Sequence, residues 1–243
     1  MKNNKILTVV VPIKDCESQL KNFLRSLPYK NNNFEILLIY YQSNDKTFKV
    51  AKLFQSKNTN IFIKECKKNG IYPAMNLGID FSRGKYILFI GADDIIYFDN
   101  LKKIINSIKT NVTDIFITPI NVIHKKYIRN MIPKDDKSPY MFHHQSLLFS
   151  KDFLKRNSIK YNLNYKIHSD FDFIQKCFNR NCKYKILNVN PLVGFNLNGK
   201  STNKKNTYQS TKELIKIFAK YNSIFTRKFL ITIIRKIYYL LKF

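Results

Sequence analysis

Lys85 to Asp94 reads KYILFIGADD. From Tyr86 to Ile90 the run has no polar face. A strand of that composition must be covered on both sides, the situation of a strand inside a mostly parallel sheet. Gly91-Ala92 then leaves room for close approach, and Asp93-Asp94 places two adjacent carboxylates at the strand's end. Adjacent carboxylates repel unless a cation or hydrogen-bond donors compensate. Mg²⁺ or Mn²⁺ suits such a place, since it binds through one or two carboxylates plus substrate phosphates. The pair also reads as a cap for a helix starting near residue 97, and spacing does not separate the two readings.

Outward from this stretch, the chain alternates strand and helix. Arg83-Gly84 closes a helix predicted from about Pro73 to Phe81, with Pro tolerated in the first turn. Ile61-Phe62-Ile63 is a short strand. Ser43-Asn44-Asp45 forms a turn and N-cap for a helix that puts Phe48, Ala51 and Phe54 on one face. Glu35 to Tyr41 (EILLIYY) is a strand, and residues 17–27 carry Leu20, Phe23, Leu24 and Leu27 at helical spacing. Ile6 to Val11 is a β-branched run ended by Pro12. Such repetition predicts an α/β fold, Rossmann-like, with a mostly parallel central sheet flanked by helices. Ligands in these sheets lie beyond the carboxyl ends of the strands. That gathers Pro12, the stretch Tyr40 to Asn44, and Gly91 to Asp94 around one crevice.

The second half is less regular. Strands are expected at 114–117, 145–149 (QSLLF) and 184–189, a hairpin over 119–132, a helix over 170–180, a polar loop over 196–206, and terminal helices at 208–222 and 224–242. We divide the chain into a domain of residues 1–206 and a C-terminal helical extension of residues 207–243.

The chain has 243 residues and a formal net charge of +27, with 44% hydrophobic residues, enough for a packed core. Six Gly and seven Pro exclude collagen-like and low-complexity classes. Cys16, Cys66, Cys177 and Cys182 form no CxxC pair, which argues against a zinc ribbon, and a disulfide scaffold does not suit this size. The polar Met1 to Lys5 and short Ile6 to Val11 do not make a signal peptide. No apolar run reaches the roughly 18 residues of a spanning helix, so a cytoplasmic location is expected. Part of the lysine excess reflects the Lys, Asn and Ile usage of AT-rich coding. The sequence has no RNP-type aromatic motif, zinc finger or helix-turn-helix, so no nucleic acid partner is expected.

Two further segments carry chemistry. Asn69 to Gly78 (NGIYPAMNLG) brings backbone amides and a helix start to the crevice, a ready anion site, though equally an ordinary loop-to-helix junction. Ser169 to Phe173 (SDFDF) opens a helix. Residues two apart on a helix point to nearly opposite sides, so only one of Asp170 and Asp172 faces the crevice. His143, His144 and His168 are possible metal ligands, but histidines without a Cys or HExxH context are more often packed or solvated.

These segments, in this order, resemble the inverting family 2 glycosyltransferases of GT-A fold over about residues 5–195. The motifs are TVVVPIKD (Thr8 to Asp15), EILLIYYQSNDKT (Glu35 to Thr47), NGIYPAMNLGI (Asn69 to Ile79), RGKYILFIGADD (Arg83 to Asp94), HQSLLF (His144 to Phe149) and SDFDF. The GIYPAMNLGI form looks like the bacterial branch that builds capsule, O-antigen or other surface glycans. The resemblance implies Pro12 and Ile13 at the nucleotide base, Asp93 at the ribose or the metal, and Asp94 as main ligand of Mg²⁺ or Mn²⁺. It implies Asn76 and Gly78 on the donor-side helix and Asp170 as general base. Its partners would be a nucleotide-sugar donor, UDP-linked by family habit, and a glycan or lipid-linked acceptor. The chain departs from the family at Tyr40, which replaces a base-contacting Asp, and at Tyr41-Gln42, Lys68 and Pro73. Lys68 offers a positive contact to the donor diphosphate in exchange. These departures keep open a second reading, a protein that binds sugar nucleotide or glycan without turnover.

At about 100° per residue, residues 224–243 place Phe229, Leu230, Ile233, Ile234, Ile237, Leu240 and Leu241 on one face. Arg227, Lys228, Arg235, Lys236 and Lys242 lie opposite. A basic amphipathic helix of this kind suits an anionic membrane surface, which would put the protein on the inner face of the cell membrane. The same pattern suits a terminal helix packed on the catalytic domain.

Overall fold

The computed structural model describes residues 5–27, 33–124, 127–133, 142–196 and 207–221. The amphipathic segment at 224–243 and the polar loop at 197–206 lie outside the described residues.

Strands β1 (Leu7–Ile13), β2 (Phe34–Tyr40), β3 (Ile61–Glu65) and β4 (Tyr86–Phe89) alternate with helices α1 (Glu17–Arg25), α2 (Thr47–Lys57) and α3 (Ile71–Phe81). After β5 (Ile95–Ile96) come α4 (Phe98–Thr110), β6 (Ile115–Ile117), β7 (Ile120–His124), β8 (Tyr127–Met131), β9 (Leu147–Ser150), α5 (Lys151–Arg156), α6 (Ser169–Asn179), β10 (Tyr184–Ile186), β11 (Val193–Asn196) and α7 (Thr207–Lys220). The central sheet runs β10-β6-β9-β4-β1-β2-β3. Its β1–β2, β2–β3, β1–β4 and β6–β10 pairs are parallel, and β9 enters antiparallel between β4 and β6. The chain moves outward through β2 and β3, then returns to place β4 on the other side of β1. The strand order therefore reverses at β1, and a crevice opens where the carboxyl ends of β1 and β4 part.

The two faces of β1 follow its alternation. Val9, Val11 and Ile13 join Leu20, Phe23 and Leu24 of α1 and Leu101, Ile104 and Ile108 of α4. Val10 faces Ala74, Met75 and Ile79 of α3 and Phe173, Ile174 and Cys177 of α6. Gly78 permits the α3 contact, because a Cβ there would lie 2.3 Å from Val10 Cγ1. At the amino end of the strands, buried Glu35 accepts from Thr8 Oγ1 and the Arg83 backbone and pairs with Arg83 Nε at 2.6 Å. That carboxylate is satisfied and lies away from the crevice.

A second sheet, in the order β5-β11-β7-β8, covers the carboxyl side of the second half. The expected hairpin is β7–β8, but β5 and β11 were not expected. The QSLLF strand starts only at Leu147, because His144–Ser146 forms a 3₁₀ turn. The strand expected over 184–189 ends at Ile186. All four cysteines are free. Among the described residues no helix is long and apolar enough to cross a membrane.

Helix α7 braces the segment before α6. Glu213, buried, accepts the backbone N–H groups of Lys166, Ile167 and His168 at 2.8–3.0 Å, and Gln209 Nε2 at 2.8 Å. Burial alone would raise the Glu213 pKa; the Gln209 side chain and these N–H groups outweigh it and hold the carboxyl below its ordinary 4.5. A depressed folded-state pKa stabilises above the unfolded value, and the gain is lost as pH falls through the folded value. Glu213→Ala is expected to cost about 2–4 kcal/mol near pH 7, since buried donors lose a charged acceptor. The gap to wild type should narrow well below pH 4.5. Urea unfolding at both pH values checks this, and an equal gap at both would contradict the assignment.

Candidate active site at the carboxyl ends of the strands

The β1–β2 side of the crevice is built by two loops laced together. Asp15 N–H donates to Ser43 Oγ, Cys16 N–H to Thr47 Oγ1 and Glu17 N–H to Asp45 Oδ2. In return Asn44 N–H donates to Asp15 Oδ1 and Lys46 N–H to Glu17 Oε2. Asp15 holds φ at 45°, a left-handed conformation uncommon outside glycine. Helix α2 starts at Thr47 with Lys46 as its N-cap residue rather than one of the expected trio; Asp45, one position earlier, accepts the Thr47 N–H while also taking the first N–H of α1. Of the expected capping trio, Asp45 is therefore the residue that bonds the start of the helix.

Pro12 and Ile13 end β1, with Ile13 paired in register with Tyr40. The Tyr40 ring packs on Phe48 at 4.6 Å, and its hydroxyl accepts the Ser43 N–H at 3.2 Å. Lys14 reaches over the Tyr41 ring and donates to Asn69 Oδ1. Lys68 is exposed on the neighbouring loop. Asn76 is used differently from the expectation. Its Nδ2 donates to the Tyr161 carbonyl at 2.9 Å and its Oδ1 accepts the Tyr161 N–H at 2.8 Å. This carboxamide ties α3 to the loop before α6.

Asp93 and Asp94 do not cap α4, whose N-cap residue is Tyr97. Asp94 turns inward, 5% exposed, and accepts Gly91 N–H at 2.8 Å on Oδ2 and Asn196 N–H at 3.2 Å on Oδ1. Asn196 Nδ2 also donates to the Asp93 carbonyl. Asp93 is exposed, and its Oδ1 lies 2.5 Å from where a Cβ on residue 91 would stand, so a larger residue there would displace the Asp93 carboxylate. Burial pushes the Asp94 carboxyl up to about 6, and the Asp93 charge adds to this, against the Gly91 and Asn196 N–H bonds and the His144 charge. A buried carboxylate beside a second one is short of positive charge. Each Asp94 oxygen accepts one backbone bond and keeps further lone-pair capacity. Among the described residues no three His, Cys, Asp or Glu side chains assemble into a complete cage. The residues fit a Mg²⁺-like ion that keeps waters and phosphate oxygens in its shell.

The two aspartates of α6 part company. Asp172 is fully buried, with Lys176 Nζ at 2.9 Å and Lys220 Nζ at 2.8 Å, and it accepts from Tyr221 Oη at 3.0 Å. Asp170 keeps 33% of its side chain exposed, and its Oδ2 lies 3.3 Å from His144 Nδ1. Burial works to raise the Asp170 pKa; the His144 hydrogen bond and charge, the His168 charge and the Phe171 N–H outweigh it and hold the carboxyl below its ordinary range. The charge of His144 works to lower the pKa of both Asp94 and Asp170, so these two aspartates, distant in sequence, lie within electrostatic range of one imidazole. His168 pairs with Ser210 Oγ at 2.7 Å. Asn196 and the bracing role of Glu213 left no mark in the sequence patterns, because both depend on contacts across tens of residues.

The model of Glycosyl transferase family 2 matches residues 8–181. The chain is 26% identical over 186 residues to a PGL/p-HBAD biosynthesis glycosyltransferase of Mycobacterium tuberculosis, covering 71% of this chain and 70% of that protein. It is 24% identical over 201 residues to the minor teichoic acid biosynthesis protein GgaB of Bacillus subtilis, of which it spans only 22%. Residues 1–349 of S. aureus TarS, solved in complex with UDP-GlcNAc, superpose with a TM-score of 0.71 at 17% identity, covering 93% of this chain and 71% of that one.

Proposed function

The chain belongs to glycosyl transferase family 2 and has the GT-A fold; from that premise we propose that it moves a sugar from a nucleotide-diphosphate donor, UDP-linked, to a hydroxyl of a glycan or lipid-linked acceptor, with inversion, in the building of a surface polysaccharide. The observation that supports the reading is that His144, set 3.3 Å from Asp170, also acts electrostatically on Asp94 at the end of β4. The named substrates and pathways of relatives supply the rest: UDP-GlcNAc bound to TarS and teichoic acid synthesis for GgaB.

The chemistry is a single displacement. Asp170, held ionised, takes the proton of the acceptor hydroxyl as its oxygen attacks C1. The C1–O bond to the diphosphate breaks, and its electron pair leaves with the phosphate. Attack from the opposite face inverts the anomeric centre, and no covalent enzyme intermediate is required. Asp94, with Asp93, would hold a divalent cation that, when bound, offsets charge on the leaving diphosphate. Pro12, Ile13 and Tyr40 bound the base pocket, and Lys68 adds positive charge at its mouth. The basic tail at 224–243 would bring the cleft to an anionic membrane where a lipid-linked acceptor resides.

Incubation with a panel of UDP-sugars and Mn²⁺ or Mg²⁺, scored by UDP release and by transfer to glycan or polyprenyl-linked acceptors, tests the reading. Turnover that vanishes in Asp170→Asn supports it. The altered base pocket around Tyr40 favours one alternative, nucleotide-sugar binding without turnover, and calorimetric binding with no UDP release would establish that instead.

A further inference from the structure

We propose that His144 is a positioning residue, which holds the Asp170 carboxylate ionised and aimed at the acceptor hydroxyl. The proposal rests on Asp170 being the general base. The contact is between His144 Nδ1 and Asp170 Oδ2, at 3.3 Å, with the imidazole 13% exposed and thus set deeper than the carboxylate. The other Asp170 oxygen, Oδ1, accepts the Phe171 N–H at 2.9 Å. One oxygen is thereby fixed by the helix and the other by the imidazole, and both remain acceptors toward the cleft.

The support behind His144 is rigid. Its 3₁₀ turn closes through Ser146, whose N–H and Oγ donate to the His143 carbonyl at 2.9 and 2.7 Å. The Ser146 carbonyl accepts Thr118 N–H and Thr118 Oγ1 at 2.9 and 3.1 Å. Gln145 and Ser146 are buried, and β9 begins at once. The turn that carries His144 is thus tied to Thr118, directly after β6, and sets the imidazole against Asp170.

The other groups facing Asp170 do different work. Tyr72, on α3, donates its hydroxyl to the Ile167 carbonyl at 2.5 Å. Tyr161 stacks on Phe173 at 4.2 Å, and burial keeps both of these phenols protonated. His168 is tied to Ser210. His143 packs on Phe195 at 5.4 Å, and burial with the His144 charge lowers its pKa. Asp94 lies within electrostatic range of His144, whose charge works to lower its pKa. Among the described side chains, His144 is the one set against the free Asp170 oxygen. A proton on Nδ1 makes that contact attractive, and an ionised base is what proton abstraction requires. Without it, burial is left to raise the Asp170 pKa.

The test compares wild type, His144→Ala, His144→Asn and Asp170→Asn, with circular dichroism melting to verify folding. Asn places an amide donor where Nδ1 stands. Expected for His144→Ala is a kcat lower by about 10–100-fold, the usual effect of losing an orienting partner, with donor Kd within about threefold of wild type. The acid limb of its pH–rate profile should move to higher pH, and His144→Asn should recover most of the rate. Carbon-13 carboxyl NMR of the free protein, assigned with Asp170→Asn, reads the same contact without turnover. Asp170 should bind its proton about tenfold more tightly in the Ala variant. An unmoved NMR midpoint, an unaltered rate, a loss matched by weaker donor binding, or an Asn variant as slow as Ala would each overturn the proposal. A wild type inactive with every donor, with the NMR midpoint still shifted by His144→Ala, would instead remove the transferase reading and leave the contact standing.

Discussion

Asp170→Asn is expected to lower the rate of sugar transfer by about 10²–10⁴-fold, the range that a positioned general base supplies, while donor Kd stays within a few-fold of wild type. Asn is close to isosteric and can still accept the Phe171 N–H, so the start of α6 should survive. What it cannot do is take a proton from the acceptor hydroxyl. The loss should therefore fall on kcat. Because the Asp170 pKa is held below its ordinary range, wild type should keep its base ionised throughout the neutral range and show no acid limb from this group above about pH 4. Steady-state rates and calorimetric donor binding on the same preparations decide the matter. A variant that transfers at more than a tenth of the wild-type rate would move the base elsewhere. Asp172→Asn is the informative contrast. Asp172 is fully buried against Lys176, Lys220 and Tyr221, so its loss should appear in melting temperature.

Asp94→Ala is expected to remove cation-dependent donor binding and, with it, activity. In wild type, Mn²⁺ together with UDP at about 100 times Kd should add about 2.7 kcal/mol of stability by mass action. For a chain of this size that corresponds to a melting shift of roughly 5–10 °C. Asp94→Ala should show almost none of it. Asp93→Ala should keep part, since Asp93 is exposed and Asp94 is the carboxylate built into the wall by the Gly91 and Asn196 N–H bonds. The readout is thermal unfolding with UDP alone, Mn²⁺ alone and both together, and it needs no acceptor. An Asp94→Ala protein that is stabilised as much as wild type by the pair would show that the cation lies elsewhere.

The first half of the fold is written in local pattern. β1, β2 and β4 are apolar almost without interruption because helices cover both of their faces. The helices between them alternate at helical period because each buries one face. β5 and β11 escaped that reading for a physical reason. β5 has two residues, and β11, reading VGFN, is buried at its first two residues, partly buried at its last two, and mixes glycine with a polar end. Neither forms a pattern until the other is beside it. β11 delivers Asn196 to the acidic pair, so this part of the site was invisible along with its strand. The 3₁₀ turn at His144–Ser146 closes locally on the His143 carbonyl, but the Ser146 carbonyl is held by Thr118, a contact that no local pattern announces.

By itself, the sequence determined the parallel α/β scaffold, the crevice at the ends of β1 and β4, and the acidic pair that closes β4, since each follows from residue types and periods within a few positions of one another. Helical geometry also determined that Asp170 and Asp172 face apart. Which of them is presented to the cleft was decided only in three dimensions, by Lys220 and Tyr221 from the far end of the chain burying Asp172. Tertiary structure likewise paired Asn76 with the Tyr161 backbone, and set His144 against Asp170. Those outcomes depend on which buried polar groups find partners, and the partners lie tens of residues away where no local pattern can name them.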